Sequence, residues 1–143
     1  MNILFSGSRT WPWVDKEKIL YQLLKLKQEH GDDLLIIHGG HNCKQAIRNN
    51  KWVGWKNKPP IESVDAIVDY LCEQHNIATK IYFAQWDLYH KAAGFKRNER
   101  MFDDNTIDKV ICCYNQPVSK GTEHVKNMAK AFKINLKVIK NYE

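Results

Sequence analysis

The hydrophobic positions of this 143-residue chain fall into short continuous runs that alternate with amphipathic stretches. Five of the continuous runs predict buried strands, at residues 2–6, 34–38, 79–83, 109–114 and 136–139. Apolar residues at helical spacing predict helices over residues 15–30, 64–71 and 96–103, and a further helix that begins at Gly121. We expect Gly31 to end the first helix and Ser63 to cap the second.

This alternation of strands and helices predicts an α/β fold, a single Rossmann-like doubly wound parallel sheet of about five strands. Right-handed crossovers favour the strand order 3-2-1-4-5 in one domain that spans residues 1–143. Ligands of such sheets bind outside the carboxyl ends of the strands, at the point where the strand order reverses. We therefore expect the loops at residues 7–10 and 115–122 to flank a binding crevice.

Residues 41–60 interrupt this rhythm, because connections of about 2–6 residues are typical at such a position. The segment is rich in Asn, Lys and Trp, ends in Pro59-Pro60, and predicts an inserted basic loop within the same domain. It holds five basic residues and no acidic one, in a chain of net charge +6. Trp52 and Trp55 alternate with lysines, a pattern that suits base stacking, a lid over a nucleotide, an oligomer contact or a solvated loop. We expect these two tryptophans to be buried.

Four cysteines, Cys43, Cys72, Cys112 and Cys113, lack the CxxC spacing of a zinc site or a redox motif. We therefore expect reduced thiols, a cytoplasmic location and no metal or cofactor. No apolar run reaches 18 residues, and residues 1–9 lack the features of a signal peptide, so we expect no membrane partner.

Polar and glycine residues follow the predicted strands where a ligand would bind. Gly7 allows a close backbone approach, Ser8 and Thr10 offer hydroxyls, and Arg9 suits a phosphate, although a plain turn with an exposed arginine would look the same. His38 is expected to be structural, and Gly39-Gly40 suits either a ligand loop or an ordinary turn.

Two later stretches extend the same chemistry. Lys120-Gly121-Thr122 opens a helix, whose free amides and dipole attract anions, although any helix start has these features. Trp86 and Tyr89 offer stacking faces, and Arg97 and Asn98 are expected at the start of a short helix, facing a phosphate or ribose. Aromatic core packing is the alternative for this stretch.

Four blocks of the sequence resemble a known family: Gly7-Ser8-Arg9, His38-Gly39-Gly40, Trp86-x-x-Tyr89-x-Lys91-Ala92-Ala93-Gly94-x-x-Arg97-Asn98-x-x-Met101 and Gly121-Thr122. In this order, over nearly the whole chain, they resemble the YspA-like branch of the SLOG superfamily (the SMF/DprA–LOG group). The resemblance implies a Rossmann-like fold with a nucleotide-type ligand held by these loops. Ser63-Val64-Asp65 is similar to a Gly-Ala-Asp triplet of the family, which implies that Asp65 faces the ribose or base.

Besides the insertion, the chain departs from this family at three places. His90 stands where relatives usually have glycine, and the PGGxGT loop has become residues 117–122 with two glycines lost. Val125 occupies the place of the catalytic glutamate in the GTxxE pattern of the LOG-type hydrolases. Asp65, Asp87 and Glu99 remain as candidate catalytic acids.

These features favour a protein that binds an ADP-ribose-like or cyclic nucleotide, either as a sensor or to sequester it. Sequestration would suit a phage protein. The enzymatic alternative is an N-glycosidic or phosphoribosyl hydrolase that uses Asp65 or Glu99. A second alternative is single-stranded nucleic-acid binding through the basic insertion. The resemblance also implies a homo-oligomer.

Overall fold

The computed structural model describes residues 1–43, 47–48, 51–52, 54–55, 59 and 62–142, with only the backbone described at 47–48 and 51–52. Its strands are β1 (Asn2–Gly7), β2 (Leu35–His38), β3 (Ile47–Arg48), β4 (Lys51–Trp52), β5 (Ala78–Ile81), β6 (Lys109–Tyr114) and β7 (Asn135–Lys140). Its α-helices are α1 (Lys16–His30), α2 (Val64–Gln74), α3 (Trp86–Tyr89), α4 (Ala93–Asp103) and α5 (Lys120–Ala131).

Five strands form one parallel sheet in the order β5-β2-β1-β6-β7. Numbered among themselves along the chain, these strands have the order 3-2-1-4-5, so the predicted fold class and topology are confirmed. The inner residues of the central strands β1 and β6 are apolar and buried because helices cover both faces of the sheet. Ile3 and Phe5 pack with α1 and α2 on one face, and Leu4 packs with α4 and α5 on the other.

The helix ends follow local sequence signals. Gly31 ends α1 with φ 54°, a value that favours glycine, and Ser63 caps α2 by accepting a hydrogen bond from the Ala66 amide at 3.1 Å. Both predictions are confirmed. Leu24, predicted on the apolar face of α1, is 41% exposed instead.

Two predicted boundaries were wrong, and one short helix was not predicted. The short helix predicted over 96–103 begins at Ala93. Helix α3, which precedes it, was not predicted because its exposed aromatic residues give no helical apolar pattern. Arg97 and Asn98 therefore lie in the second turn of α4 and not at its start. The third strand predicted over 79–83 ends at Ile81, because its partner β2 ends at His38.

The insertion contains two short paired antiparallel strands, β3 and β4, which the sequence pattern did not predict. Trp55 is 1% exposed and packs against Cys43 and Ala66, so its expected burial is confirmed. The side chains of Trp52 and of the five basic residues of this segment lie outside the described residues. Nucleic-acid binding through those basic residues, the second alternative, therefore remains a prediction.

All four cysteines are free, as expected, and all four are buried. Burial raises the pKa of the Cys112 thiol to about 12, and it raises the pKa of the Cys113 thiol as well. Within the described residues, no helix has the length and apolar character needed to cross a membrane.

Candidate functional site

A cavity of about 620 Å³ lies at the carboxyl ends of the parallel strands. Nine of the twelve residues predicted to bind a ligand line it: Gly7, Arg9, Gly39, Gly40, Asp65, Arg97, Lys120, Gly121 and Thr122. The ends of β1 and β2 and the start of α5 meet there because parallel strands place their carboxyl ends at one edge of the sheet. The loops expected to flank a crevice therefore surround one cavity.

Arg97 is held in place by two hydrogen bonds. Its Nη1 donates to the carbonyl of Gly39 at 2.8 Å, and its Nε donates to Oδ1 of Asn98, also at 2.8 Å. A Cβ at Gly39 would lie 2.5 Å from Nη1, so only glycine allows this approach. Burial lowers the pKa of Arg97, with a smaller effect of Arg9 in the same direction and an opposing one of Asp65. The guanidinium thus enters the cavity in a fixed orientation.

The amino-terminal turn of α5 forms a second wall of the cavity. Ser119 caps the helix: its Oγ accepts from the Thr122 amide at 3.2 Å and lies 3.0 Å from Oγ1 of Thr122. A Cβ at Gly121 would meet no atom within 4 Å, so the backbone there is open to the cavity. First-turn amides lack intrahelical acceptors, and the helix dipole adds positive potential. This wall is suited to an anion.

The loop that follows β2 is fixed by side chains of the α2 region. The amide of His41 donates to Oδ2 of Asp65 at 3.1 Å, and the hydroxyl of Ser63 donates to the carbonyl of His41 at 3.0 Å. Ser63 has φ 101°, an unfavourable value for a residue with a side chain. Burial lowers the pKa of His41, and Arg9 lowers it further. His41 and Asn42 line the cavity but were missed, because the sequence placed them in the insertion.

Two aromatic side chains lie at the cavity with much of their surface exposed. Phe83 is 41% exposed and Trp86 is 49% exposed, and both are lining residues. The guanidinium of Arg9 lies 5.9 Å from the ring centroid of Trp86, within cation–π range. Phe83 was missed because the sequence assigned it to a strand. Large exposed aromatics beside a polar cavity offer stacking faces to a ligand.

The other three predicted ligand residues support the cavity from outside its lining. The hydroxyl of Ser8 accepts from the amide of Asn115 at 2.8 Å, and the carbonyl of Thr10 accepts from the Asn115 side chain at 3.1 Å. Asn98 is buried, and its Nδ2 lies 3.3 Å from the carbonyl of Gly121. Ser8 and Thr10 thus join the loops after β1 and β6, and Asn98 links Arg97 to α5.

The candidate catalytic acids separate in space. Asp65 lines the cavity, whereas Asp87 and Glu99 are not among its described lining residues. Glu99 lies in a shallow depression beside Glu123 and His124, where burial lowers the pKa of His124. Val125, which stands where the LOG-type hydrolases have a glutamate, is buried in the core.

The chain matches no protein-family model, no curated protein and no solved structure at a significant level. The chemistry of the cavity is therefore the basis for a functional proposal.

Proposed function

We propose that this protein binds a phosphate-bearing nucleotide or nucleotide-derived molecule, ADP-ribose-like or cyclic, as a sensor or a sequestering protein. One observation carries the proposal: Arg9, Arg97 and the open amino terminus of α5 border the same cavity. Its volume of about 620 Å³ lies within the range of about 300–1,000 Å³ that is usual for small-molecule sites.

The balance of charge around the cavity favours an anion. Arg9, Arg97 and Lys120 are basic, and Asp65 is the one acidic side chain among the described lining residues. One oxygen of Asp65 already accepts the amide of His41, so part of its acceptor capacity is used within the protein. Arginine binds phosphate through parallel hydrogen bonds, and the helix terminus adds amide donors.

The aromatic side chains support a nucleotide over inorganic phosphate. Phe83 and Trp86 leave apolar surface at the cavity that a phosphate ion would not cover. A nucleobase has a flat face that stacks on such rings, a contact worth about 1–3 kcal/mol per base in nucleic-acid complexes. A ligand with a phosphate at one end and a base at the other matches both kinds of surface.

We also propose that the chain belongs to the YspA-like branch of the SLOG superfamily. The sequence blocks that carry the resemblance are far apart along the chain, yet Gly7, Gly39, Arg97 and Thr122 all line one cavity, which supports the proposal. A cytoplasmic location and a homo-oligomeric state belong to the same proposal.

Calorimetric titration with ADP-ribose and with cyclic AMP tests this function, alongside mass spectrometry of small molecules released when the purified protein is denatured. Arg97→Ala should weaken binding by about tenfold to a hundredfold, since a hydrogen bond to a charged group is worth about 1.5–3 kcal/mol. Arg100→Ala is the matched control, because Arg100 lies on the same helix against the ring of Tyr82. Equal binding by the two folded variants would refute the assigned site.

Hydrolysis of the nucleotide is the second candidate, and the position of Asp65 favours it. This carboxylate reaches the cavity, where it would stabilise a developing ribosyl cation or activate water. Release of free base or ribose phosphate on incubation, lost in Asp65→Asn, would establish an enzyme. Recovery of the unchanged ligand would establish a binding protein.

A further inference from the structure

A buried chain of hydrogen bonds connects the insertion to the loop after β2. The indole Nε1 of Trp55 donates to Oδ2 of Asp69 at 2.7 Å. The other carboxylate oxygen, Oδ1, lies 2.9 Å from Nε2 of His38. Nδ1 of His38 accepts from the amide of Gly40 at 3.1 Å. His38 and Asp69 are fully buried and Trp55 is 1% exposed, so water does not compete for these bonds.

The donors and acceptors of these buried hydrogen bonds permit one placement of the protons. The amide of Gly40 is only a donor, so Nδ1 of His38 must be unprotonated. The neutral imidazole then carries its proton on Nε2 and donates it to Asp69. The indole of Trp55 is also only a donor, and its partner is the second oxygen of the same carboxylate. Loss of any one group removes a buried hydrogen bond that water does not readily replace.

Helix α2 holds the insertion through three carboxylates on one face. Asp65, Asp69 and Glu73 are spaced four residues apart, which places their side chains one above the other. Oε2 of Glu73 accepts from the backbone amide of Trp55 at 2.8 Å, so Trp55 is bound through its backbone and its side chain. Its ring also packs edge to face against Tyr70, with centroids 6.0 Å apart.

We propose that Trp55 is a positioning residue of the ligand cavity, through which the insertion fixes the loop at Gly39-Gly40. Asp69 and His38 transmit the constraint, and the carbonyl of Gly39 in turn holds the guanidinium of Arg97. The proposal depends on the proposed function where it concerns ligand affinity. The insertion thereby takes part in ligand recognition through the backbone of that loop.

The hydrogen-bonded series Trp55–Asp69–His38–Gly40 is called the relay below. Hydrogen exchange at the Gly40 amide tests it without a ligand. Trp55→Phe keeps an aromatic ring and removes the N–H. We expect the exchange rate of Gly40, relative to that of the Leu4 amide in the central strand, to rise about tenfold or more. Trp13→Phe is the matched control, since Trp13 also packs edge to face against Tyr70, with centroids 5.2 Å apart. If Trp55→Phe fails to fold, benzothienylalanine at position 55 keeps the shape of the indole without its N–H.

Calorimetry with ADP-ribose separates the possible outcomes. A faster Gly40 exchange together with an affinity at least about tenfold weaker, both absent in Trp13→Phe, would support the proposal. An unchanged relative rate at Gly40 would overturn the relay. Faster exchange with unchanged affinity would overturn the positioning role. Faster exchange in a protein whose wild type binds neither ADP-ribose nor cyclic AMP would refute the proposed function and leave the relay supported.

Discussion

Gly39→Ala should disable the cavity while leaving the fold nearly intact. The added methyl group would lie 2.5 Å from Nη1 and 2.7 Å from Cζ of Arg97, well inside van der Waals contact. Gly39 does not have a positive φ, so alanine is compatible with the backbone there. The far end of a flexible arginine moves more readily than backbone, and we therefore expect the guanidinium to swing away from the Gly39 carbonyl.

The size of the effect follows from the bond that is lost. A hydrogen bond between a charged donor and a carbonyl is worth about 1.5–3 kcal/mol, so the free energy of unfolding should fall by that amount at most. Alanine offsets about 0.4–1 kcal/mol of this loss by restricting the unfolded chain. The net loss of about 1–2 kcal/mol leaves a protein of ordinary stability folded. Ligand affinity should fall by about tenfold to a hundredfold, because Arg97 no longer points into the cavity.

Calorimetric titration with ADP-ribose and urea denaturation together measure both quantities. Gly94→Ala is the control, because a Cβ at Gly94 would lie no closer than 4.0 Å to Arg97 or Trp86. Alanine within α4 should stabilise the helix by up to about 1 kcal/mol and leave affinity unchanged. A folded Gly39→Ala variant that binds ADP-ribose like the wild type would show that the orientation of Arg97 is irrelevant to binding.

Two further predictions concern the loop after β2. In thermal melts, Ser63→Ala should lower the free energy of unfolding by about 1–2 kcal/mol, because the α2 cap is lost. Ser63→Gly should lower it less, because glycine accepts φ 101° without strain. Because burial and Arg9 lower the pKa of His41 below its ordinary 6.5, its neutral form is favoured on folding, and stability should fall as pH drops below about 6.5. His41→Asn should remove part of that slope in urea melts at about pH 8 and pH 5, and the lowered pKa of His124 should contribute to what remains. An unchanged slope would contradict this.

The sequence predicted the parts of the fold that depend on continuous apolar runs. The bounds of the buried strands β1, β2 and β6 were predicted to within one residue, because the inner residues of a strand covered on both faces form a continuous apolar run. Helix α3 escaped prediction because it is four residues long and Trp86, Leu88 and Tyr89 are exposed. Hydrophobic periodicity reflects the burial of one face of a helix, and no residue of α3 is buried.

The sequence predicted those lining residues of the cavity that follow the ends of strands or open a helix. Glycines and basic residues after strands predicted Gly7, Arg9, Gly39 and Gly121, because topology gathers those positions at one edge. His41 and Asn42 could not be predicted in the same way, since their place depends on hydrogen bonds from distant residues. Asn98 was expected at the ligand but is buried behind Arg97, a distinction that needs three-dimensional packing.

The carboxylates of α2 also bear on how this domain tolerates redesign. Asp69 lies in a fully buried position and is solvated in part by the indole of Trp55. A shortened chain lacking Trp55 would take one donor away from that carboxylate inside the protein, at a cost of about 1–3 kcal/mol. A minimal version of this domain should therefore replace Asp69 and His38 by apolar residues in the same step, so the insertion and α2 have to be redesigned together.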